Sequence, residues 1–222
     1  MIVNAIIQCR MTSSRFPGKV LAPIMGKPLL DHVVEQIKKT KVCSSIILAT
    51  SVVKEDDPLS CYAHDLGLHV VRGSKDDVFE RFALVLDRFC CEAFFRVCGD
   101  SPLLLPKLFD YSVSIYKTKK CDLITNIFPR TFPEGMSIEL IKTETFLNAK
   151  KNIINIEEKE HLSSHFYNNH KNFDIYNIEC NKKVDKKFKL SVDNLNDIGK
   201  IEKWYLNNSN KIGTLFPIKL EK

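Results

Sequence analysis

Short, almost wholly apolar runs alternate along the first half of the chain with stretches in which apolar residues return every three or four positions. The runs Ile2–Cys9, Ser45–Thr50, Leu68–Val71, Ala93–Cys98 and Asp122–Thr125 are predicted strands, too short for helices and apolar on both faces. Between them, Leu29–Lys39 sets Leu29, Leu30, Val33, Val34 and Ile37 on one side of a helix. Pro58–Leu66, closed by Gly67, Asp76–Phe89, entered through two carboxylates, and Pro106–Lys117 are helical by the same criterion. Strands and helices alternating in this way build βαβ units. The pattern therefore predicts an α/β fold, a mostly parallel sheet with helices on both faces.

After about residue 126 the rhythm changes. The stretch PRTFPEG at 129–135 is rich in turn residues, and Ser137–Ile141 is a predicted strand. Ile156–Asn168 and Leu195–Tyr205 are predicted helices, and Phe173–Glu179 and Lys189–Val192 extended segments. One domain over residues 1–222 is expected, with 127–185 inserted as a mixed α+β segment. Ile153, Ile154, Ile156, Leu162 and Phe166 give that segment more apolar surface than a small layer readily hides. A homodimer built around 127–185 is the expectation, and a private mini-core against the sheet is the alternative.

Hydrophobic residues are 44% of the 222 and charged residues 27%, enough apolar material for a core without disulfide or metal staples. The apolar runs fall far short of the ~20 residues of a membrane span. The opening MIVNAIIQCR has no basic region ahead of its apolar run, so no secretory signal, no membrane association and a cytoplasmic location are expected. The eight cysteines form no CxxC pair and several sit in apolar runs, as reduced, buried thiols do.

Net charge is +6, divided as +1 over residues 1–110 and +5 over 111–222. Much of the excess is Lys182-Lys183 and Lys186-Lys187-Phe188-Lys189. With Phe188 its one aromatic and no known module beside it, this run is expected to be a solvated turn and not a nucleic-acid interface. A positive excess also suits a small polyanionic substrate.

Ligands of open parallel sheets bind beyond the carboxyl ends of the strands. After the first strand comes Cys9-Arg10-Met11-Thr12-Ser13-Ser14-Arg15-Phe16-Pro17-Gly18-Lys19, with three cations, three hydroxyls and a Pro-Gly turn. Such a loop can balance and orient a polyphosphate, or it can be an exposed basic loop. It contains neither a Walker A loop nor a G-x-G-x-x-G. Asp100, in Gly99-Asp100-Ser101-Pro102, and Asp193, in Ser191-Val192-Asp193, each follow a predicted strand. Either carboxylate could hold magnesium beside substrate phosphates, or cap the turn or helix that follows. Arg72-Gly73-Ser74 is a further strand-end cluster, and His161 and His165 stand four apart without the glutamate of a zinc-protease helix.

In order along the chain, these pieces resemble the cytidylyltransferases that activate acidic sugars. That family includes the acylneuraminate and 3-deoxy-manno-octulosonate enzymes, and the likeness is greatest to the branch called spore coat polysaccharide biosynthesis protein F. The carriers are IIQCRMTSSRFPGKVLAPIMGKPLLDHVVEQI, RGSKDDVFERF, RVCGDSPLL, TNIFPRTFPEGMSIEL, EEKEHLSSHF and SVDN, spanning about residues 2–205.

The resemblance implies a Rossmann-like fold of the nucleotide-diphospho-sugar transferase type. It implies transfer of CMP from CTP to an acidic sugar, releasing pyrophosphate, for surface polysaccharide biosynthesis. A non-sugar phosphorylated or phosphonate acceptor, or a non-catalytic nucleotide-binding protein of the same fold, are the alternatives. Carried over, Cys9, Arg10, Met11, Ser13, Arg15, Lys19, Arg72 and Asp100 meet the nucleotide, with Arg10, Lys19 and Asp100 catalytic and Arg72 near the cytosine. Asp100 and Asp193 would hold Mg2+, and Asn126, Arg130, Glu139 and His161 would face the acceptor from the inserted, dimerising segment. Cys9 replaces the usual Ala, Phe16 the usual Leu, and Cys98 stands where the octulosonate enzymes carry Gln.

Overall fold

The computed structural model describes residues 1–150, 153, 156–185, 188–208 and 211–219. Its strands are β1 (Val3–Gln8), β2 (Pro23–Ile24), β3 (Lys27–Pro28), β4 (Ser45–Ser51), β5 (His69–Gly73), β6 (Ala93–Cys98), β7 (Leu123–Thr125), β8 (Glu139–Lys142) and β9 (Ile175–Asn177). Its helices are α1 (Leu29–Lys38), α2 (Asp57–Asp65), α3 (Val78–Arg88), α4 (Pro106–Lys119), α5 (Thr143–Lys150), α6 (Ile156–Glu160), α7 (Ser164–Asn168), α8 (Leu195–Asn208) and α9 (Ile212–Leu215). Seven strands form one sheet in the order β5-β4-β1-β6-β8-β7-β9, and β2 and β3 pair apart as a small hairpin. β1, β4, β5 and β6 are mutually parallel, and β9 is parallel to β7. β8 runs against both of its neighbours, β6 and β7. The expected α/β class is the one observed.

The chain leaves β1 toward β4 and β5 on one side, then returns to lay β6 on the other. That reversal opens a crevice between the carboxyl ends of β1 and β6, where open α/β sheets take their ligands. Strands apolar on both faces need two covering layers. Ala5, Ile7 and Phe95 face Leu29, Val33 and Ile37 of α1 and Leu108 and Phe109 of α4. Ile6, Ile47 and Phe94 face Phe79 and Phe82 of α3, Phe146 of α5 and Phe166 of α7. Phe79 and Phe146 stack at 4.3 Å. Burying one such ring contributes about 1.5–3 kcal/mol. Asp77 starts α3 by accepting from the Glu80 N–H at 2.7 Å, as the paired carboxylates suggested.

The second half departs from expectation in three places. The predicted helix Ile156–Asn168 breaks between α6 and α7, because Ser164 Oγ takes the His161 carbonyl at 2.6 Å. A continuous helix would give that carbonyl to the His165 N–H. Lys189–Val192 is not a strand of the sheet. It is laced instead to two separate segments, by Leu190 N–H to the Glu134 carbonyl at 2.7 Å and Val192 N–H to the Asp100 carbonyl at 2.9 Å. Lastly, Ile153, Leu162 and Phe166 are buried against the sheet within this chain, so the surplus apolar surface inferred from the sequence is covered internally at these positions. Ile154 and Lys186-Lys187 lie outside the described residues. Among the described residues no helix is long and apolar enough to cross a membrane.

Gly135 locks the 189–192 segment in place. Its φ is +92°, and a Cβ there would sit 2.4 Å from the Leu190 carbonyl carbon and 2.5 Å from the Ser191 nitrogen. Gly26, at φ +78°, has open space instead. Gly26→Ala should therefore cost only the left-handed penalty, about 1–2 kcal/mol. Gly135→Ala should cost clearly more, because backbone must also move. Urea denaturation of the two variants checks the ordering.

Candidate active site

β1 delivers the chain into the crevice at Cys9. The loop that follows closes on itself when the Gly18 N–H donates to the Met11 carbonyl at 2.8 Å, and a single 3₁₀ turn then carries Lys19. It is tethered to the rest of the fold by Asp56. This fully buried carboxylate accepts from Met11 N–H at 2.6 Å, Thr50 Oγ1 at 3.1 Å, Ser51 N–H at 3.2 Å and Ser51 Oγ. A buried charge is tolerable only with such saturation.

Lys19 lies at the centre. Its Nζ donates to Asp100 Oδ2 at 2.9 Å and to the Val192 carbonyl at 2.8 Å, and stands 3.5 Å from Asp193 Oδ1. Asp193 also pairs with exposed Arg15 at 2.6 Å and with Lys189. Asp197 takes the N–H groups of Asp193 and Asn194 at 2.9 and 3.2 Å, so it starts α8 and leaves the Asp193 carboxylate to the cations. The two carboxylates predicted to share a metal thus converge on one ammonium.

Arg10 Nη1 donates to the Lys75 carbonyl at 2.6 Å, and its guanidinium lies 3.7 Å from Glu160 and 4.0 Å from Asp76. Arg72 is committed to the turn after β4, donating to the Ser51 and Val53 carbonyls at 2.8 and 2.9 Å and pairing with Asp57 at 2.6 Å. Arg81, from the same RGSKDDVFERF stretch, is in a different position. It is fully buried and gives Nη1 to the Ser74 and Lys75 carbonyls at 2.9 and 3.2 Å, while Nε and Nη2 have no partner. Burial, then the neighbouring Arg10 charge, pushes its pKa down. Thr12 Oγ1 in the loop is likewise buried without a partner.

The residues expected to face an acceptor divide. Asn126 is wholly buried and uses both ends of its amide on the chain, donating to the Met136 carbonyl at 2.8 Å and accepting from Ile138 N–H at 2.9 Å. Glu139, 1% exposed, pairs with Arg96 at 3.0 Å and accepts from Tyr167 Oη at 2.6 Å. His161 is exposed at the break between α6 and α7, and Glu160 beside it reaches Arg10. Arg130 is exposed, donates to Ser137 Oγ at 3.1 Å, and lines a cavity of about 1290 Å³ with Phe132, Glu134, Lys182, Lys183 and Phe188. That cavity adjoins the Lys19 cluster through Glu134, whose Oε1 accepts from Ser191 Oγ at 3.0 Å. Ser13 and Cys9 belong to the loop. Burial, then nearby Asp56 and Asp100, raises the Cys9 thiol, which therefore stays neutral.

Sequence reasoning missed Arg81, Lys189 and Asp56. Arg81 carried a signal, since it interrupts the apolar stripe of α3 between Val78 and Val85, where a charge without a task is costly. Burial alone would raise the Asp193 carboxyl, but the Lys189 hydrogen bond and the charges of Lys19, Lys189 and Arg15 outweigh it and hold the pKa below the ordinary range. Such a group stabilises the fold above its unfolded pKa, about 3.9, and the contribution disappears as pH falls through the folded value. Wild type should therefore exceed Asp193→Asn in urea midpoint at neutral pH. The difference should shrink as pH falls below the unfolded value and through the lower folded one.

Comparison with known proteins gives the family. A spore coat polysaccharide biosynthesis protein, SpsF, of Bacillus subtilis is 26% identical over 206 residues, 90% of this chain and 85% of that protein. A 3-deoxy-manno-octulosonate cytidylyltransferase of Geobacter sulfurreducens is 35% identical over 116 residues, 51% of this chain and 45% of that one. The fold matches the solved structure of a cytidylyltransferase from Leptospira borgpetersenii with a TM-score of 0.84 at 24% identity, covering 100% of both chains. Residues 4–208 match the family model described as cytidylyltransferase, and the chain belongs to that family.

Proposed function

We propose that the chain transfers CMP from CTP to the hydroxyl of an acidic sugar, an ulosonic or sialic acid, releasing pyrophosphate for polysaccharide assembly. The observation that carries this is the Lys19 ammonium joining Asp100 and Asp193 at the β1/β6 crevice, beside the arginines of the phosphate loop. The relatives named for octulosonate transfer and for spore coat polysaccharide support the acceptor class.

In the reaction, an acceptor hydroxyl oxygen bonds to the α-phosphorus and gives its proton to solvent, while the bond from that phosphorus to the bridging oxygen breaks. Pyrophosphate leaves with the electron pair. Negative charge grows on both sides, so positioning and fixed cations supply most of the catalysis. Arg10, Arg15 and Lys19 are the cations within reach, and Ser13 supplies a hydroxyl to the phosphates. Arg81, fully buried behind the loop with Arg10 and Asp56 as charged neighbours, adds a fixed positive charge to that side of the site. Magnesium fits the chemistry of the site. Asp100 and Asp193 are two hard oxygen donors, and among the described residues no cluster of three or more His, Cys, Asp or Glu side chains forms a complete cage. Substrate phosphates would complete its shell. When bound, the ion would offset charge on the phosphate oxygens.

Pyrophosphate release with purified chain, magnesium and a panel of sugar acids tests the reading. CTP should exceed ATP and GTP by at least about 100-fold in kcat/KM, the order a hydrogen-bonding base pocket provides. Lys19→Ala and Asp100→Asn should each lower kcat by about 10²–10³-fold, with smaller effects on CTP binding. Equal turnover with a purine triphosphate would overturn the nucleotide assignment.

A further inference from the structure

We propose that Arg96, held by Gln8 and Glu139, is the carboxylate-binding group of the acceptor subsite. This deepens the acidic-acceptor reading above and rests on it. β6 reads Ala93-Phe94-Phe95-Arg96-Val97-Cys98, and its alternation puts Phe94, Arg96 and Cys98 on the face covered by α3, α5 and α7. Phe94 is deep in that core, while Cys98 is at the strand end two residues before Asp100. Arg96 lies between them, two residues short of the end of β6. Across the register, its backbone partner on β1 is Ile6, a fully buried apolar residue. Packing alone would favour another apolar side chain at this position.

The way Arg96 is held points to a ligand. Nε donates to Gln8 Oε1 at 3.3 Å and Nη1 to Glu139 Oε2 at 3.0 Å. Glu139 is shut in, its other oxygen taken by Tyr167 Oη, which also meets Thr125 Oγ1 at 2.9 Å. The Arg96 side chain is 19% exposed, against 1% for Glu139, so the open side of the ion pair is the cationic one. Among the described residues Nη2 has no hydrogen-bond partner, and it is not among the atoms sealed from the crevice. With Nε and Nη1 each engaged, the guanidinium is held in a fixed orientation and keeps Nη2 for a charge-assisted hydrogen bond to a carboxylate oxygen. As a purely structural feature, a buried pair of this kind stabilises a fold little better than two apolar residues. The same network has an aromatic side. Phe128 stacks on Tyr167 at 5.0 Å and 22°, and keeps 36% of its surface exposed. A flat apolar wall beside a few oriented polar groups is the usual make-up of a small-molecule site.

The test measures CTP-dependent pyrophosphate release by the full chain with 3-deoxy-manno-octulosonate and N-acetylneuraminate. Each acid is compared with its C1 amide, which keeps the shape and loses the charge. Wild type should prefer the acid by at least about 30-fold, and Arg96→Gln should lose most of that preference by raising the KM of the acid. The KM for CTP should stay within about two-fold, since no phosphate contact is removed. Arg96→Lys should keep part of the preference, having charge without the fork. If Arg96→Gln folds poorly, the apolar double variant Arg96→Met/Glu139→Leu replaces the whole pair, and it should show the same loss of preference. An Arg96→Gln or double-variant enzyme that still favours the acid as strongly as wild type would overturn the inference while leaving the acceptor class intact. Wild type that turns over neither acid would instead overturn the acidic-acceptor reading, and this assignment with it.

Discussion

One ammonium group holds the crevice together. Lys19 Nζ reaches the end of β6 through Asp100 and the 189–193 segment through the Val192 carbonyl and Asp193. These three stretches are far apart in sequence, and among them only β6 belongs to the sheet. The contact converts a floppy problem, a loop and a late extended segment on either side of a strand end, into a single fixed arrangement. Buried or half-buried charges in such a cluster interact more strongly than surface pairs because solvent screens them less. The rest of the cleft is arranged about this point, with Arg15 and Lys189 beside Asp193 and Asp197 steering the backbone that presents it.

The sheet makes that arrangement reachable. Parallel strands β1 and β6 bring two loops to the same edge because both chains run the same way. The reversed strand β8 does something different. By running against β6 it sets Glu139 at its start, opposite the far end of β6 where Arg96 and Cys98 are. A parallel strand in that place would bring its final residues, not its first, to the crevice. The single change of direction thus lets a segment far along the chain contribute a carboxylate to the floor of a site otherwise built from the first hundred residues.

What could be read in advance follows the range of the forces involved. Helices α1 and α3 and strands β1, β4 and β6 were legible because an apolar stripe or run is a local property, set by 3.6- or 2-residue periodicity. Lys19, Asp100 and Asp193 were visible as residues at strand or segment ends, yet whether each carboxylate capped a helix or faced a ligand was not. That depended on Lys19, Lys189 and Arg15, which gather on the Asp193 carboxylate. The break after α6 turned on one serine hydroxyl competing for one carbonyl. Lys189–Val192 looked like a strand because its composition is strand-like, but its partners are Glu134 and Asp100, and no local pattern encodes partners so distant. Arg72 and Arg81 illustrate the same limit. Nine residues apart in one motif, one is committed to the turn after β4 and the other is buried with two nitrogens free.

The cations of the loop after β1 are already matched by the chain's own acids: Arg10 by Glu160 and Asp76, Arg15 by Asp193, Lys19 by Asp100. The crevice is therefore nearly neutral, and entry is an exchange of partners. An incoming anion has to outcompete carboxylates that are tethered in place and so present at high effective concentration. A triphosphate, with several charges close together, can displace them at once. A phosphodiester, with one charge on one phosphorus, has far less with which to do so. Internal pairing thus acts as a charge threshold: only an anion with several charges close together exchanges all of these partners at once.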